Sequence, residues 1–182
     1  QKNSWIDDGT GWFYMDGEGL ASKGWLTLSD QKYYLDDSTG RMITGWKSDN
    51  GKWYYFGSSG ALSKGWIDDN GTWYYADSQG VMQTGWLDDN GRRYFLENSG
   101  AMAKGWTNQN GTWYYADGQG AMQTGWLEDA GEKYFLRGSG AMATGWREMD
   151  GAWYYFEGSG RMAKGMIDVN GLHYYMDPST GR

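Results

Sequence analysis

The stretch that decides the fold is Gly-Trp-Ile-Asp-Asp-Asn-Gly-Thr-Trp-Tyr-Tyr-Ala-Asp-Ser-Gln-Gly-Val-Met-Gln-Thr-Gly-Trp, residues 65–86. It holds one full repeat, because the Gly-Trp pair that opens it returns 20 residues later. The spacing is kept along all 182 residues, except for one step of 21 between Trp25 and Trp46. The nine repeats begin near Trp5, Trp25, Trp46, Trp66, Trp86, Trp106, Trp126, Trp146 and Met166. A fixed period of this length predicts an array whose repeats bury their apolar faces against one another, so we expect residues 1–182 to form a single module.

Each repeat has the pattern of a β-hairpin. A first strand begins at Gly-Trp, a turn such as Asn70-Gly71 follows, and the second strand is aromatic, as in Trp73-Tyr74-Tyr75. Asn-Gly accepts the positive φ angles that two-residue hairpin turns require. Because an isolated two-stranded hairpin is marginal in water, the sequence predicts an all-β fold, a solenoid of stacked hairpins.

The composition argues against several classes of site. The chain has no cysteine, which excludes disulfides, thiol catalysis and cysteine-ligated zinc. Its single histidine, His173, argues against a multi-histidine metal centre or a histidine-based triad. No apolar run is long enough to span a membrane, and the net charge of -7 disfavours nucleic acid as a partner. We therefore expect no catalytic residue, no metal and no cofactor.

One strand position varies between repeats in an informative way. We number each repeat from its leading residue as position 0; positions 8 and 9 are then aromatic in every repeat. Position 7 alternates between indoles and cationic or imidazole side chains, which a core position would not do. It is tryptophan in five repeats, at Trp12, Trp53, Trp73, Trp113 and Trp153, and it is Lys32, Arg93, Lys133 and His173 in the other four. We interpret the nearly uniform position 8 as a packing position.

The paired indoles at positions 0 and 7 predict a binding pocket. A third ring, 29 residues after the leading Trp in most repeats, would come from the next hairpin and close it. Such a box presents negative π faces and suits a cation that cannot hydrogen-bond, above all a quaternary ammonium such as choline. Lysine or arginine at position 7 removes one ring and places a positive charge where the ligand's charge would lie. Those interfaces are predicted to be disabled or self-occupied, unless these residues are simply solvated strand residues.

The repeat at 65–86 closely resembles the choline-binding repeats of pneumococcal-type surface proteins, and the likeness extends over all nine units. The resemblance implies a left-handed solenoid with choline sites between successive hairpins and no catalytic activity. It also implies a secreted protein attached noncovalently to the Gram-positive cell wall, with phosphocholine on teichoic and lipoteichoic acids as its partner. Because an array has two exposed ends, a homodimer through the terminal repeats is a further expectation.

Carried over by position, the resemblance implies five choline sites. They are Trp5 with Trp12 and Tyr34; Trp46 with Trp53 and Tyr75; Trp66 with Trp73 and Phe95; Trp106 with Trp113 and Phe135; and Trp146 with Trp153 and Tyr175. The candidate floors of the first four sites are Met42, Met82, Met102 and Met142, although methionine at a repeating apolar position is more often a packing residue. No equivalent methionine follows the last pair.

Three other interpretations compete with choline binding. Glucan-binding repeats share Gly-Trp and aromatic elements, and aromatic platforms also stack on sugars, but five tryptophans at position 7 favour choline. The acidic pairs Asp7-Asp8, Asp68-Asp69 and Asp88-Asp89 would suit an enzyme's general acid and base, yet they lie just before the hairpin turns, where aspartate is a turn former. They match no calcium-loop pattern. A purely adhesive or spacer protein is the third alternative.

Overall fold

The computed structural model describes residues 1–182 as eighteen strands, paired consecutively into nine antiparallel hairpins. The strands are β1 (Ser4–Asp7), β2 (Trp12–Met15), β3 (Gly24–Leu28), β4 (Gln31–Leu35), β5 (Gly45–Asp49), β6 (Lys52–Phe56), β7 (Gly65–Asp69), β8 (Thr72–Ala76), β9 (Gly85–Asp89), β10 (Arg92–Leu96), β11 (Gly105–Gln109), β12 (Thr112–Ala116), β13 (Gly125–Asp129), β14 (Glu132–Leu136), β15 (Gly145–Met149), β16 (Ala152–Phe156), β17 (Gly165–Val169) and β18 (Leu172–Met176). This confirms the all-β fold of repeated hairpins. The left-handed course stays a prediction. The structure contains no helix that is long and apolar enough to cross a membrane.

The hairpin turns have the backbone angles that the sequence predicts. Asp69 pairs with Thr72 across a two-residue loop, in which Asn70 has φ of 53° and Gly71 has φ of 85°. Both angles lie in the left-handed region that glycine and asparagine tolerate best. Ser29 and Ala130 depart from this pattern, and Ala130 adopts φ of 51° with no polar side chain to favour this conformation.

We therefore expect Ala130→Asn to stabilise the protein by about 0.5–1 kcal/mol, since asparagine tolerates the left-handed conformation better than alanine. Urea unfolding followed by circular dichroism measures the change. The matched control is Asn110→Ala, because Asn110 has φ of 52° at the equivalent turn position and the reverse substitution should destabilise by a similar amount. A loss of stability in Ala130→Asn would contradict the assignment of strain to this turn.

The segment after each hairpin ties two hairpins together through backbone hydrogen bonds. The N–H of Met82 donates to the carbonyl of Trp53 at 2.9 Å, in the preceding hairpin, while the N–H of Gln83 donates to Tyr75 at 2.8 Å, in its own. Consecutive residues thus bond to successive hairpins. This satisfies part of the hydrogen-bonding capacity that two-stranded sheets leave open.

Position 10, the last residue of each second strand, is buried in every repeat from the second onward. These side chains are at most 2% exposed, and the protein buries no polar residue. They are Leu35, Phe56, Ala76, Leu96, Ala116, Leu136, Phe156 and Met176. Other apolar residues outside this position are buried as well, among them Tyr34, Leu62, Ile67 and Met162.

The repeats lie in two compact units. The first comprises Gln1–Gly85 with Leu96–Met102, and the second comprises Trp86–Phe95 with Ala103–Arg182. In the first unit Tyr34, Phe56 and Leu62 form a buried cluster. In the second unit the buried cluster consists of Ala143, Tyr154, Phe156 and Met162. The expectation of one module over residues 1–182 stays a prediction.

Candidate ligand-binding grooves

A groove with three aromatic rings lies beside the β5–β6 hairpin. Trp46 and Trp53 belong to the same face of this hairpin, and Tyr74 from β8 meets the indole of Trp46 with ring centroids 4.7 Å apart and planes at 65°. Met82, Asn98 and Ser99 complete the lining of a cavity of about 400 Å³. The rings of Trp46 and Tyr74 stand at a steep angle, so they do not stack face to face.

The β11–β12 hairpin carries the same arrangement in the second unit. Trp106 and Trp113 line the groove, and Tyr134 meets Trp106 at 4.8 Å with the planes at 61°. Met142 and Ser159 complete a cavity of about 270 Å³. Two copies of one geometry, in hairpins with the same residues at positions 0 and 7, show that the sequence pattern determines the groove.

The last tryptophan pair lines a more open groove. Trp146 and Trp153 lie 6.3 Å apart with planes at 77°, and Tyr174 meets Trp146 at 4.8 Å. Tyr175 also lines this cavity of about 580 Å³, together with Met176 and Arg182. No methionine corresponding to Met82 or Met142 is part of the lining, in agreement with the sequence.

The four methionines predicted as floors each lie beside the second tryptophan of their site. In every case the methionine N–H donates to the carbonyl of the position-7 tryptophan: Met42 to Trp12 at 2.7 Å, Met82 to Trp53 at 2.9 Å, Met102 to Trp73 at 2.7 Å and Met142 to Trp113 at 2.8 Å. The next loop packs closely against this side chain, because a Cβ on Gly100 would lie 2.4 Å from the sulfur of Met82. Gly100 has φ of 85°, so glycine suits this position both for its backbone angle and for the space.

The third ring differs from the one that the sequence predicts. Position 9 residues pack on the leading indole of their own hairpin: Tyr34 on Trp25, Tyr75 on Trp66, Phe95 on Trp86 and Phe135 on Trp126, with centroids 5.1–5.4 Å apart. Position 8 residues meet the leading indole of the preceding hairpin, at Tyr33 on Trp5, Tyr74 on Trp46, Tyr134 on Trp106 and Tyr174 on Trp146. One predicted third ring, Tyr175, does line a groove, namely that of Trp146 and Trp153, which Tyr174 lines as well.

Strand alternation is the physical reason for this difference. Positions 8 and 9 point to opposite faces of a strand. Trp66 pairs with Tyr75 across its hairpin, so position 9 shares the face of the leading indole. The next hairpin must then present its opposite face, which carries position 8.

The surroundings of Tyr34 illustrate the packing role of position 9. Tyr34 is buried with 4% exposure and its ring lies 6.4 Å from that of Phe56. Its hydroxyl donates to Asp37 Oδ2 at 2.6 Å, and this hydrogen bond, together with burial, raises the pKa of Tyr34 to about 12. Tyr34 is therefore a core residue with a satisfied hydroxyl.

The leading indole has a tyrosine partner in the cationic repeats as well. Trp25 meets Tyr54 at 4.9 Å, Trp86 meets Tyr114 at 4.8 Å and Trp126 meets Tyr154 at 5.1 Å. The Trp–Tyr contact is thus a general feature of hairpin stacking. The residue at position 7 decides whether a second indole joins it.

Arg93 occupies the place of the second indole in the β9–β10 hairpin. Its guanidinium carbon lies 4.8 Å from the centroid of the Trp86 ring, within cation–π range, and its Nε lies 3.3 Å from Asp88 Oδ1. The protein therefore supplies its own cation to this indole. This agrees with the self-occupied interface predicted from the sequence.

The β13–β14 hairpin carries Lys133 at position 7 and leaves a groove of different chemistry. Its cavity of about 560 Å³ is lined by Trp126, Glu128, Lys133 and Met162, among others. Lys133 lies opposite Glu128 in the strand register, so an ammonium takes the place of the second aromatic ring. This groove offers a cationic ligand one indole and a like charge.

Sequence reasoning missed the role of one aspartate position. Asp68 forms the expected turn, because its Oδ1 accepts the N–H of Gly71 at 2.7 Å. Asp69, at position 3, instead accepts the indole N–H of Trp46 in the preceding hairpin, with Nε1 and Oδ2 2.9 Å apart. Aspartate recurring about 23 residues after a leading tryptophan was the signal for this bond.

Comparison with protein families identifies the repeats. The choline-binding repeat profile matches residues 43–78, 63–105, 103–144 and 143–182, and the putative cell wall binding repeat profile matches residues 23–42. A comparison with curated proteins finds no match.

Solved structures of Streptococcus pneumoniae proteins share the fold. CbpJ is 38% identical, with 93% of this chain covering 68% of that chain and a TM-score of 0.84. Choline binding protein F, crystallised in the presence of a peptidoglycan analogue, is 34% identical, with 94% of this chain covering 69% of that chain and a TM-score of 0.81. The modular autolysin LytC is 29% identical, with 97% of this chain covering 47% of that chain and a TM-score of 0.63.

Proposed function

This chain belongs to the choline-binding repeat family, and we propose that its choline sites lie at the five hairpins in which positions 0 and 7 are both tryptophan. In the two most complete grooves the trimethylammonium group contacts Trp46, Trp53 and Tyr74, or Trp106, Trp113 and Tyr134. Met82 and Met142 form the respective floors.

The chemistry of these grooves suits a quaternary ammonium. Its three methyl groups bury apolar area against indole and thioether, and its charge is attracted to the negative ring faces. Each cation–π contact contributes about 0.5–2 kcal/mol, so three rings give one site only moderate affinity. A ligand with N–H donors would leave those donors without acceptors among the rings, and this favours trimethylated nitrogen over a primary amine.

The contrast at position 7 carries the proposal. Where this residue is tryptophan, two indoles line one groove; where it is Arg93, the guanidinium already lies over Trp86. A guest cation would have to displace Arg93 from both Trp86 and Asp88. We assign no choline to the hairpins that carry Lys32, Arg93 and Lys133.

We further propose that the chain is secreted and attaches noncovalently to the cell wall through phosphocholine on teichoic and lipoteichoic acids. Several weak sites on one chain engage a polymer that presents many cholines, and avidity then raises the overall affinity by orders of magnitude. The matching proteins named for choline binding support this attachment. We assign no catalytic step to the repeats, which offer binding surfaces and turn-forming aspartates.

Isothermal titration with choline tests the assignment by counting sites. We expect about five cholines per chain from the five tryptophan pairs, and we expect millimolar choline to elute the protein from a choline-bearing resin. A count near the number of hairpins would contradict the role of position 7. Elution by soluble glucan and not by choline would favour the carbohydrate-binding alternative.

A further inference from the structure

We infer that the aspartate at position 3 of one hairpin strengthens the cation site of the preceding hairpin, by holding and polarising its leading indole; the inference rests on the proposed choline sites. The bond is seen at three indoles: Trp25 Nε1 donates to Asp49 at 3.0 Å, Trp46 to Asp69 at 2.9 Å and Trp106 to Asp129 at 3.0 Å. It is present in both compact units.

The first effect of this bond is positional. An indole that lines an open groove has χ1 and χ2 to fix, and a charge-assisted hydrogen bond from a half-buried carboxylate fixes the ring before the ligand arrives. Asp69 is itself held, because its Oδ1 accepts the side-chain amide of Asn70 at 2.9 Å. The turn thus supports the orientation of Trp46.

The second effect is electrostatic. Cation–π attraction depends on the negative charge of the ring face. An N–H that donates to a carboxylate is polarised, and this shifts electron density onto the indole. The carboxylate also places its own negative charge at the Nε1 edge of the ring, where it attracts a nearby cation. Both terms strengthen binding of a cation and leave a neutral guest of the same shape nearly unaffected.

Position 3, which carries this aspartate, is not aspartate in every repeat. The residue 23 positions after Trp146 is Val169, and the one 23 positions after Trp5 is Leu28; neither side chain accepts a hydrogen bond. The Trp46 and Trp106 grooves should therefore bind choline more tightly than the proposed sites at Trp5 and Trp146. Asp49 serves as a control, because it accepts the indole N–H of Trp25. The hairpin of Trp25 carries Lys32 at position 7 and is assigned no choline.

The test uses the full chain and the indole N–H signals of its 13 tryptophans in 1H–15N NMR spectra, which follow each groove separately. Choline and its neutral carbon isostere, 3,3-dimethylbutan-1-ol, are titrated into the wild type, Asp129→Asn and Asp49→Asn. In Asp129→Asn we expect choline binding at the Trp106 groove to weaken about three- to tenfold. The affinity of the neutral alcohol for the same groove should change less than about twofold. Asp49→Asn should leave choline binding at all five grooves unchanged.

The outcomes separate this inference from the proposed function. Unchanged choline affinity in Asp129→Asn, or an equal loss for choline and the alcohol, overturns the electrostatic role. If choline shifts no indole signal in the wild type, the proposed function itself fails. If Asp129→Asn does not fold, Val169→Asp is the second test. Tighter choline binding at the Trp146 groove supports the inference, and an unchanged dissociation constant for choline overturns it.

Discussion

Trp113→Ala is expected to weaken choline binding at one groove by about 2- to 30-fold, because it removes one of three rings that contribute about 0.5–2 kcal/mol each. Trp113 is 43% exposed, so its loss should change stability little. Titration calorimetry should then register one site that binds choline more weakly than in the wild type.

The matched control for this prediction is Lys133→Ala. Lys133 occupies position 7 of the next hairpin, in a groove that we do not assign to choline. Its replacement removes a positive charge and adds no ring, so the choline count should remain unchanged. Equal losses in Trp113→Ala and Lys133→Ala would show that position 7 does not distinguish binding hairpins from the others.

Phe56→Ala is expected to lower the free energy of unfolding by about 3–5 kcal/mol. Phe56 is fully buried, and its ring lies 5.8 Å from that of Trp25 and 6.4 Å from that of Tyr34. Truncation leaves a cavity in the cluster that also contains Leu62. Because each repeat is stabilised mainly by its neighbours, the loss should affect several hairpins of the first unit.

Urea unfolding monitored by tryptophan fluorescence measures this effect, with Phe56→Leu as the control. Leucine occupies the same position at Leu35, Leu96 and Leu136, where it is at most 1% exposed. Phe56→Leu should therefore cost less than about 1.5 kcal/mol. Similar losses for alanine and leucine would mean that Phe56 does not lie in a packed core.

The period and the turns allowed most of the fold to be predicted. A spacing of 20 residues and the Asn-Gly turns determine where each hairpin begins and where it reverses, and the strands lie where that pattern placed them. The buried position 10 was harder to recognise. Its members range from Ala76 and Ala116 to Phe56, so the position shows no uniform residue type although burial is uniform.

The groove could be predicted in part. The indole pairs and the methionines follow directly from the repeat, as in Trp53 and Met82. The ring that contacts the leading indole of the preceding hairpin lies one residue before the predicted third ring. Both neighbours in the second strand are aromatic, and a list of aromatic positions does not say which face meets the preceding hairpin. Period-two alternation contains that information, since Tyr75 shares the face of Trp66 and leaves Tyr74 to the hairpin before.

The preference of aspartate for turns does not predict that the two members of an acidic pair accept different hydrogen bonds. Asp68 and Asp69 are adjacent and chemically identical, yet one accepts the N–H of Gly71 and the other the indole N–H of Trp46. Only the stacking of one hairpin on the next brings that indole to the second carboxylate. Contacts of this kind depend on tertiary placement.

The most direct test of the account is a crystal structure of the protein grown in excess choline. We predict a trimethylammonium group in contact with Trp46, Trp53 and Tyr74, a second with Trp106, Trp113 and Tyr134, and none over Trp86, where Arg93 lies. Choline bound beside Trp86 or Trp126 while the tryptophan-pair grooves remain empty would contradict the claim that two indoles define the site.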